Sequence, residues 1–114
     1  MNVALLIADD ARERQFLLAA CQRAGYQPVA YPNPGAYLLD LRDRRPALTL
    51  IRLTLPLDVK LTAAAKVREH YPDAPLVLIG KTEFLAAKNL FQDDPHTILL
   101  TSLDELALTP AKTQ

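Results

Sequence analysis

Two adjacent carboxylates, Asp9 and Asp10, are the side chains in this 114-residue chain best suited to chemistry, because they directly follow the short apolar run 3–8. Neighbouring carboxylates at the end of a strand repel each other and normally need a cation. Arg52, near the end of the apolar run 48–53, carries a permanent positive charge and can bind a carboxylate through two donors. We therefore predict a fixed ion pair between Arg52 and Asp9 or Asp10. Two plainer interpretations stay open: Asp10 as the N-cap of the following helix, and Arg52 as a solvent-facing residue.

Five short apolar runs predict the strands that position these side chains. The runs cover residues 3–8, 27–31, 48–53, 76–79 and 97–100. Helical patterns follow them at 10–24, 36–44, 61–71, 83–91 and 103–108. Nearly continuous apolar strands that alternate with helices indicate an α/β fold, a doubly wound parallel sheet covered on both faces. We expect the weak strand 27–31, which carries Pro28, at an edge of that sheet.

In such a sheet the carboxyl ends of the strands meet at one crevice. The residues predicted around it are Asp9, Asp10, Arg52, Leu53, Gly80, Lys81, Thr101 and Ser102. Lys60 and Lys81 lie near the same rim, where lysines are usually solvated. The alternative to solvated lysines is an anion-binding site formed by Arg52, Lys60 and Lys81.

Composition excludes several other classes of function. The single cysteine and two distant histidines exclude a disulfide framework and argue against a metal centre. A formal net charge of zero argues against direct binding to nucleic acid or to an anionic membrane. No apolar run reaches the length of a membrane span, the N-terminus lacks the basic start of a secretion signal, and we expect a cytoplasmic protein. With only three glycines and no glycine-rich phosphate loop, we expect no cofactor. Cys21 is predicted to be a buried, inert thiol rather than a redox sensor.

Three stretches of sequence resemble the receiver domain of bacterial two-component response regulators. The first is LLIADD at 5–10, similar to the acidic pair that ends the family's first strand. The second runs from GY at 25–26 through RRPALTLIRLTLP at 44–56, and the third is HYPDAPLVLI at 70–79. The resemblance implies a flavodoxin-like sheet of order 2-1-3-4-5, with the fourth and fifth helices short or atypical. It implies a receiver-like domain at 1–108, and the polar residues 109–114 are expected to form a flexible tail.

The chain departs from the family at the residues that carry phosphorylation. In the family an Asp that ends the third strand accepts a phosphoryl group beside a magnesium ion. Here Arg52 takes the acceptor position, Gly80 the hydroxyl position, and Thr101 or Ser102 the position of the lysine. Lys60 replaces a glycine that the family has after the third strand. The resemblance thus implies a degenerate pseudo-receiver without catalytic residues or a metal, whose former phosphorylation pocket comprises Asp9, Asp10, Arg52, Gly80, Thr101 and Ser102.

A receiver-like domain without this chemistry can still bind partners. In the family, the fourth helix, fifth strand and fifth helix form the contact face. The corresponding side chains are Phe84, Leu85, Phe91, Leu103 and Leu106. We therefore expect a non-enzymatic signalling module that binds proteins of a signalling pathway, or a second copy of itself, without phosphorylation. The alternative is a sensor of a small ligand or anion in the crevice around Arg52 and Gly80.

Overall fold

Five parallel strands form the centre of the protein. The computed structural model describes residues 2–41, 44–82, 84, 91, 93–108 and 110. The strands are β1 (Val3–Ile7), β2 (Gln27–Tyr31), β3 (Leu48–Arg52), β4 (Leu76–Ile79) and β5 (Thr97–Leu100). Their order is β2-β1-β3-β4-β5, and each neighbouring pair is parallel. This order confirms the predicted doubly wound sheet, with β2 at one edge and β5 at the other.

Alternate residues of the strands pack on opposite faces of the sheet. Leu5, Ile7 and Ile51 face a core shared with α2 (Pro34–Leu41) and α3 (Leu57–His70). Leu6 and Leu50 face a second core that contains residues of α1 (Ala11–Arg23). Because successive side chains of a strand point to opposite sides, both faces of these strands are apolar.

Both ends of α1 are set by local sequence. Asp10 is the N-cap, and its side chain accepts a hydrogen bond of 3.0 Å from the backbone N–H of Glu13. At the other end, Gly25 has a φ of 89°, a conformation that costs glycine little. The N–H groups of Gly25 and Tyr26 then bind the carbonyls of Gln22 and Cys21, which closes the helix. The plainer interpretation of Asp10 is therefore correct.

Helix boundaries differ from the prediction in ways that affect the site. α3 begins at Leu57, four residues before the predicted start. Over the described residues 101–108 a single 3-10 turn, Leu103–Glu105, forms in place of the helix predicted at 103–108. Most of the helix predicted at 83–91, and the predicted tail apart from Pro110, lie outside the described residues. Within the described ranges, no helix combines the length and apolarity needed to cross a bilayer.

Candidate functional site

Lys60 is the cation that binds the side chain of Asp9. Its Nζ atom lies 2.9 Å from Oδ2 of Asp9, and the same oxygen accepts a hydrogen bond of 2.9 Å from the hydroxyl of Thr54. The Lys60 side chain is only 2% exposed, whereas Asp9 is 42% exposed. The ammonium is thus shielded from solvent, whereas the carboxylate that it binds is partly exposed. The expectation of a solvated Lys60 is wrong.

The early start of α3 explains this position of Lys60. Residues 60, 63, 64 and 67 are the buried positions of that helix, and their spacing places them on one face. Ala63, Ala64 and Val67 pack into the core on the α2 and α3 side of the sheet. Lys60 lies at the end of this stripe nearest the strand tips. Its aliphatic stem can therefore be buried while its ammonium meets Asp9.

The contacts of Asp9 change its acidity. Burial alone would raise the pKa of Asp9, because it disfavours the charged form. Hydrogen bonds from Lys60 and Thr54, together with the charges of Lys60 and Arg14, outweigh this and hold the pKa below its ordinary value. Asp9 is therefore an ionised acceptor that already has two side-chain donors.

Arg52 makes a different ion pair from the one predicted. Its Nε donates to Oε2 of Glu13 at 3.0 Å, and its Nη1 donates to the backbone carbonyl of Ile79 at 3.2 Å. The predicted pairing with Asp9 or Asp10 is wrong for a geometric reason. Arg52 shares a face of β3 with Leu48 and Leu50, which pack on the α1 side of the sheet. Asp9 instead contacts Lys60 from α3, on the opposite side.

Gly80 lies where a side chain would collide with Leu53. A Cβ atom added at Gly80 would come within 2.8 Å of the Cβ atom of Leu53, which is fully buried. A hydroxyl-bearing side chain at this position therefore needs a shift of the backbone. The part of the predicted crevice next to Gly80 is filled by Leu53.

Thr101 and Ser102 are engaged with Glu105. Both of their backbone N–H groups donate to Oε1 of Glu105, at 2.9 and 3.0 Å, and the Thr101 hydroxyl donates to the same oxygen. Ser102 and Glu105 form a capping box that starts the 3-10 turn. Among the described residues, the hydrogen bonds and ion pairs of the predicted pocket thus form separate groups around Asp9, Arg52 and Glu105.

An anion site built from Arg52, Lys60 and Lys81 is not supported by this arrangement. Arg52 and Lys60 each bind a carboxylate already. Lys81 is exposed, as the plainer interpretation expects. Sequence reasoning missed Glu13 and Thr54 as partners, although Glu13 lies one helical turn after Asp10 and Thr54 lies two residues after Arg52.

The described residues of the predicted contact face lie on both sides of the sheet. Phe91 is buried and Phe84 packs beside it, both in the core on the α2 and α3 side. Leu103 and Leu106 instead pack against the core on the α1 side. Leu85 lies outside the described residues.

A cavity of about 740 Å³ opens at the amino ends of the strands, away from Asp9. Its apolar lining comes from β3, β4, β5 and the segment after the 3-10 turn, and includes Leu48, Val77, Ile98, Leu100, Leu106 and Leu108. Ile98 is 56% exposed. Val77 pairs with Ile98 in the sheet, and Val77 packs on the α1 side. The cavity therefore lies on the face that carries α1, beside the short 3-10 turn.

The sequence matches no protein-family model and no curated protein. Solved structures do match the fold. The chemotaxis response regulator CheY4 of Vibrio cholerae gives a TM-score of 0.74 at 18% identity, over 96% of this chain and 90% of that one. The response regulator TrrA of Thermotoga maritima, solved in complex with Mg²⁺ and BeF, gives 0.67 at 19% identity, over 91% and 90%. The receiver domain of nitrogen regulatory protein C gives 0.75 at 21% identity, over 90% and 83%. The chain thus has the fold of CheY-like receiver domains.

Proposed function

We propose that this protein is a receiver-like signalling module of the cytoplasm that works through protein contacts and without phosphorylation. It has no enzymatic activity in this proposal. The receiver fold of its structural neighbours supports a role in signal transduction. What separates it from an ordinary receiver is the set of side chains at the strand ends.

The observation that carries the proposal is that Arg52, a permanently charged side chain, occupies the position of the phosphoryl acceptor and is already bound to neighbouring groups. A guanidinium does not form an acyl phosphate and keeps its proton at every usable pH. Here it is also bound to Glu13 and to the carbonyl of Ile79, so its role is to hold β3 against its neighbours. The close approach of Gly80 to Leu53 supports the same conclusion, since it leaves no space for the hydroxyl that a receiver uses.

The α1 side of the sheet is the surface that we propose for partner binding. It carries α1 and a single 3-10 turn among the described elements, whereas α2 and α3 cover the other side. Phe16 is 43% exposed and lies one turn after Glu13, on the flank of α1 that contacts β3. An exposed apolar side chain such as Ile98 in the lining of an apolar cavity is typical of an interaction site.

We propose an amphipathic helix of a partner protein as the occupant of this surface, because the lining of the cavity includes the apolar side chains of Val77, Ile98 and Leu106. A helix that docks by its apolar face would bury Ile98. It would lie beside the 3-10 turn Leu103–Glu105, the one helical element that the described residues form after β5.

A phosphoryl donor tests the chemical half of the proposal. The protein is incubated with acetyl phosphate and Mg²⁺ beside an ordinary receiver as positive control, and intact mass is measured. We expect no added phosphoryl group on this chain, because Arg52 offers no carboxylate. An acid-labile phosphoryl group on the wild-type protein would contradict the proposal.

Paired substitutions test the contact surface. Ile98→Glu places a charge on the proposed surface, and Leu39→Glu places the same charge on α2, where Leu39 is 67% exposed. Partners captured by the wild-type protein should be lost with Ile98→Glu and kept with Leu39→Glu, with or without a phosphoryl donor. Light scattering of the same variants identifies a second copy as the partner if Ile98→Glu lowers the mass. Binding that both variants retain would exclude this surface.

The size of the cavity favours one second candidate, a sensor of a small apolar ligand. A volume of about 740 Å³ lies within the usual range for ligand pockets. The cavity is a better place for such a ligand than the strand-end crevice, where Leu53 packs against Gly80. A thermal-shift screen of apolar ligands, nucleotides and small anions separates the two candidates, because only a sensor gains stability from a ligand.

A further inference from the structure

Receivers of the family that this chain resembles hold a magnesium ion at the acidic pair, and the side chains present here do not fit one. Mg²⁺ needs several oxygen ligands in near-octahedral geometry. In the described part of the chain, no group of three histidine, cysteine or carboxylate side chains could hold a metal ion. The Asp10 carboxylate caps α1, and the acceptor position carries the guanidinium of Arg52.

We infer that the ammonium of Lys60 is the permanent cation of this site and excludes divalent ions from Asp9. This inference rests on the proposed function and extends it to the metal. Nζ of Lys60 lies 2.9 Å from Oδ2 of Asp9, while the rest of the side chain is buried on α3. A divalent ion would have to approach Asp9 against this fixed charge. A divalent ion bound to the Asp9 carboxylate would lie close to the Lys60 ammonium, and the repulsion between two such close positive charges is large even in a partly polar environment.

The ion pair also joins three segments of the chain. Asp9 follows β1, Thr54 lies in the segment between β3 and α3, and Lys60 belongs to the first turn of α3. A bound metal ion exchanges with solvent, so the contacts that it mediates depend on its concentration. Lys60 is part of the chain, and the Asp9 contacts that it makes therefore persist whatever the metal concentration.

The test uses Mn²⁺ as the probe and follows the broadening of backbone amide signals at residues 9 and 10 by NMR. We compare the wild-type protein with Lys60→Met, which keeps the apolar stem and removes the charge. The matched control is Lys66→Met on the exposed side of the same helix, where Lys66 pairs with Glu69. Lys60→Met should bind Mn²⁺ about tenfold more tightly than the wild type, and Lys66→Met should not change binding. Equal affinity of Lys60→Met and the wild type would overturn the inference.

A second variant tests the inference even if Lys60→Met does not fold. Arg52→Asp returns a carboxylate to the end of β3 and leaves Lys60 in place. We expect it to bind Mn²⁺ no more than a few-fold more tightly than the wild type, because Lys60 still neutralises Asp9. Tight binding by Arg52→Asp alone would show that Lys60 does not exclude the metal. A failure of these metal-binding tests can be distinguished from a failure of the proposed function, which fails if the wild-type protein is phosphorylated.

Discussion

Glu13 donates a backbone hydrogen bond to Asp10 and accepts an ion pair from Arg52 through its side chain, and thereby links Asp10 to Arg52. Its backbone N–H donates to Oδ2 of Asp10 at 3.0 Å, and its carboxylate accepts from Nε of Arg52 at 3.0 Å. The cap that starts α1 therefore also fixes the carboxylate that meets β3. Of the acidic pair, Asp10 therefore caps α1, whereas Asp9 forms an ion pair with Lys60.

Arg52→Ala should lower the free energy of unfolding by about 1 kcal/mol. The side chains of Arg52 and Glu13 are 16% and 24% exposed, so solvent weakens their pair less than that of a fully exposed one. Arg45→Ala is the control, since Arg45 and Asp73 are 54% and 64% exposed and should contribute little. Urea unfolding measures the free energy of unfolding of both variants. If the two variants lose the same stability, the Arg52 pair is no stronger than an ordinary surface pair.

Gly80→Ala should lower the free energy of unfolding by about 1–3 kcal/mol, because the new Cβ atom overlaps Leu53. Gly35→Ala is the matched control, where the nearest atom, 3.3 Å away, is the side-chain oxygen of Asn33. In Gly80→Ala/Leu53→Gly the two effects should be less than additive, since the Cβ atom of residue 53 is absent and the overlap is removed. Thermal or urea unfolding of the set checks this, and strict additivity would exclude the proposed overlap.

Acid should destabilise the protein through Asp94 as well as Asp9. Burial would raise the pKa of Asp94, but hydrogen bonds from Thr97, the His96 backbone and Arg68, with the charge of Arg68, lower it overall. A carboxyl whose folded-state pKa is lowered stabilises the protein above its unfolded-state pKa, and this contribution is lost as the pH falls through the folded-state pKa. Stability should therefore decline from about pH 4 downwards.

Asp94→Asn isolates that contribution. The variant should be less stable than the wild type at neutral pH, and its stability should fall less between about pH 4 and pH 2. Urea unfolding across this range measures both effects. Parallel curves for the two proteins would mean that Asp94 does not carry the acid sensitivity.

The thiol of Cys21 should not react in the folded protein. Cys21 is fully buried in the core on the α1 side, and burial raises the pKa of its thiol to about 11. The reactive thiolate is therefore scarce at neutral pH. A thiol reagent should modify the protein only after denaturant is added. Rapid modification of the native protein at the same pH would contradict the buried, inert assignment.

The sheet was predictable because its strands are short apolar runs separated by helical patterns. Runs such as 48–53 are too short for helices, and Pro28 favours an edge position for β2, where the structure places it. The site was less predictable because it depends on which face of the sheet each side chain occupies. Period-two alternation from Leu50 places Arg52 on the α1 side, and the same rule from Ile7 places Asp9 on the other.

The role of Lys60 depends on one helix boundary. A helix that begins at residue 61 leaves Lys60 in a loop, where a lysine is solvated. The observed start at Leu57 places it on the buried stripe with Ala63, Ala64 and Val67. Pro56 precedes this helix without a side-chain cap, so the sequence carries no N-cap signal there. The spacing of Ala63, Ala64 and Val67 after Lys60 was the available sequence signal that Lys60 belongs to the buried face of this helix.

The parallel order of the strands also determines how the chain can reach this structure. Ala4 pairs with Leu48, and even the nearest partners, such as Leu76 and Thr97, are roughly twenty positions apart. None of the five described strands can pair with its neighbour through a tight hairpin, so each ladder requires the closure of a long loop. Folding rates fall as native contacts become more distant along the chain. We therefore expect helices such as α1 to form transiently long before the sheet, which assembles late and in one cooperative step.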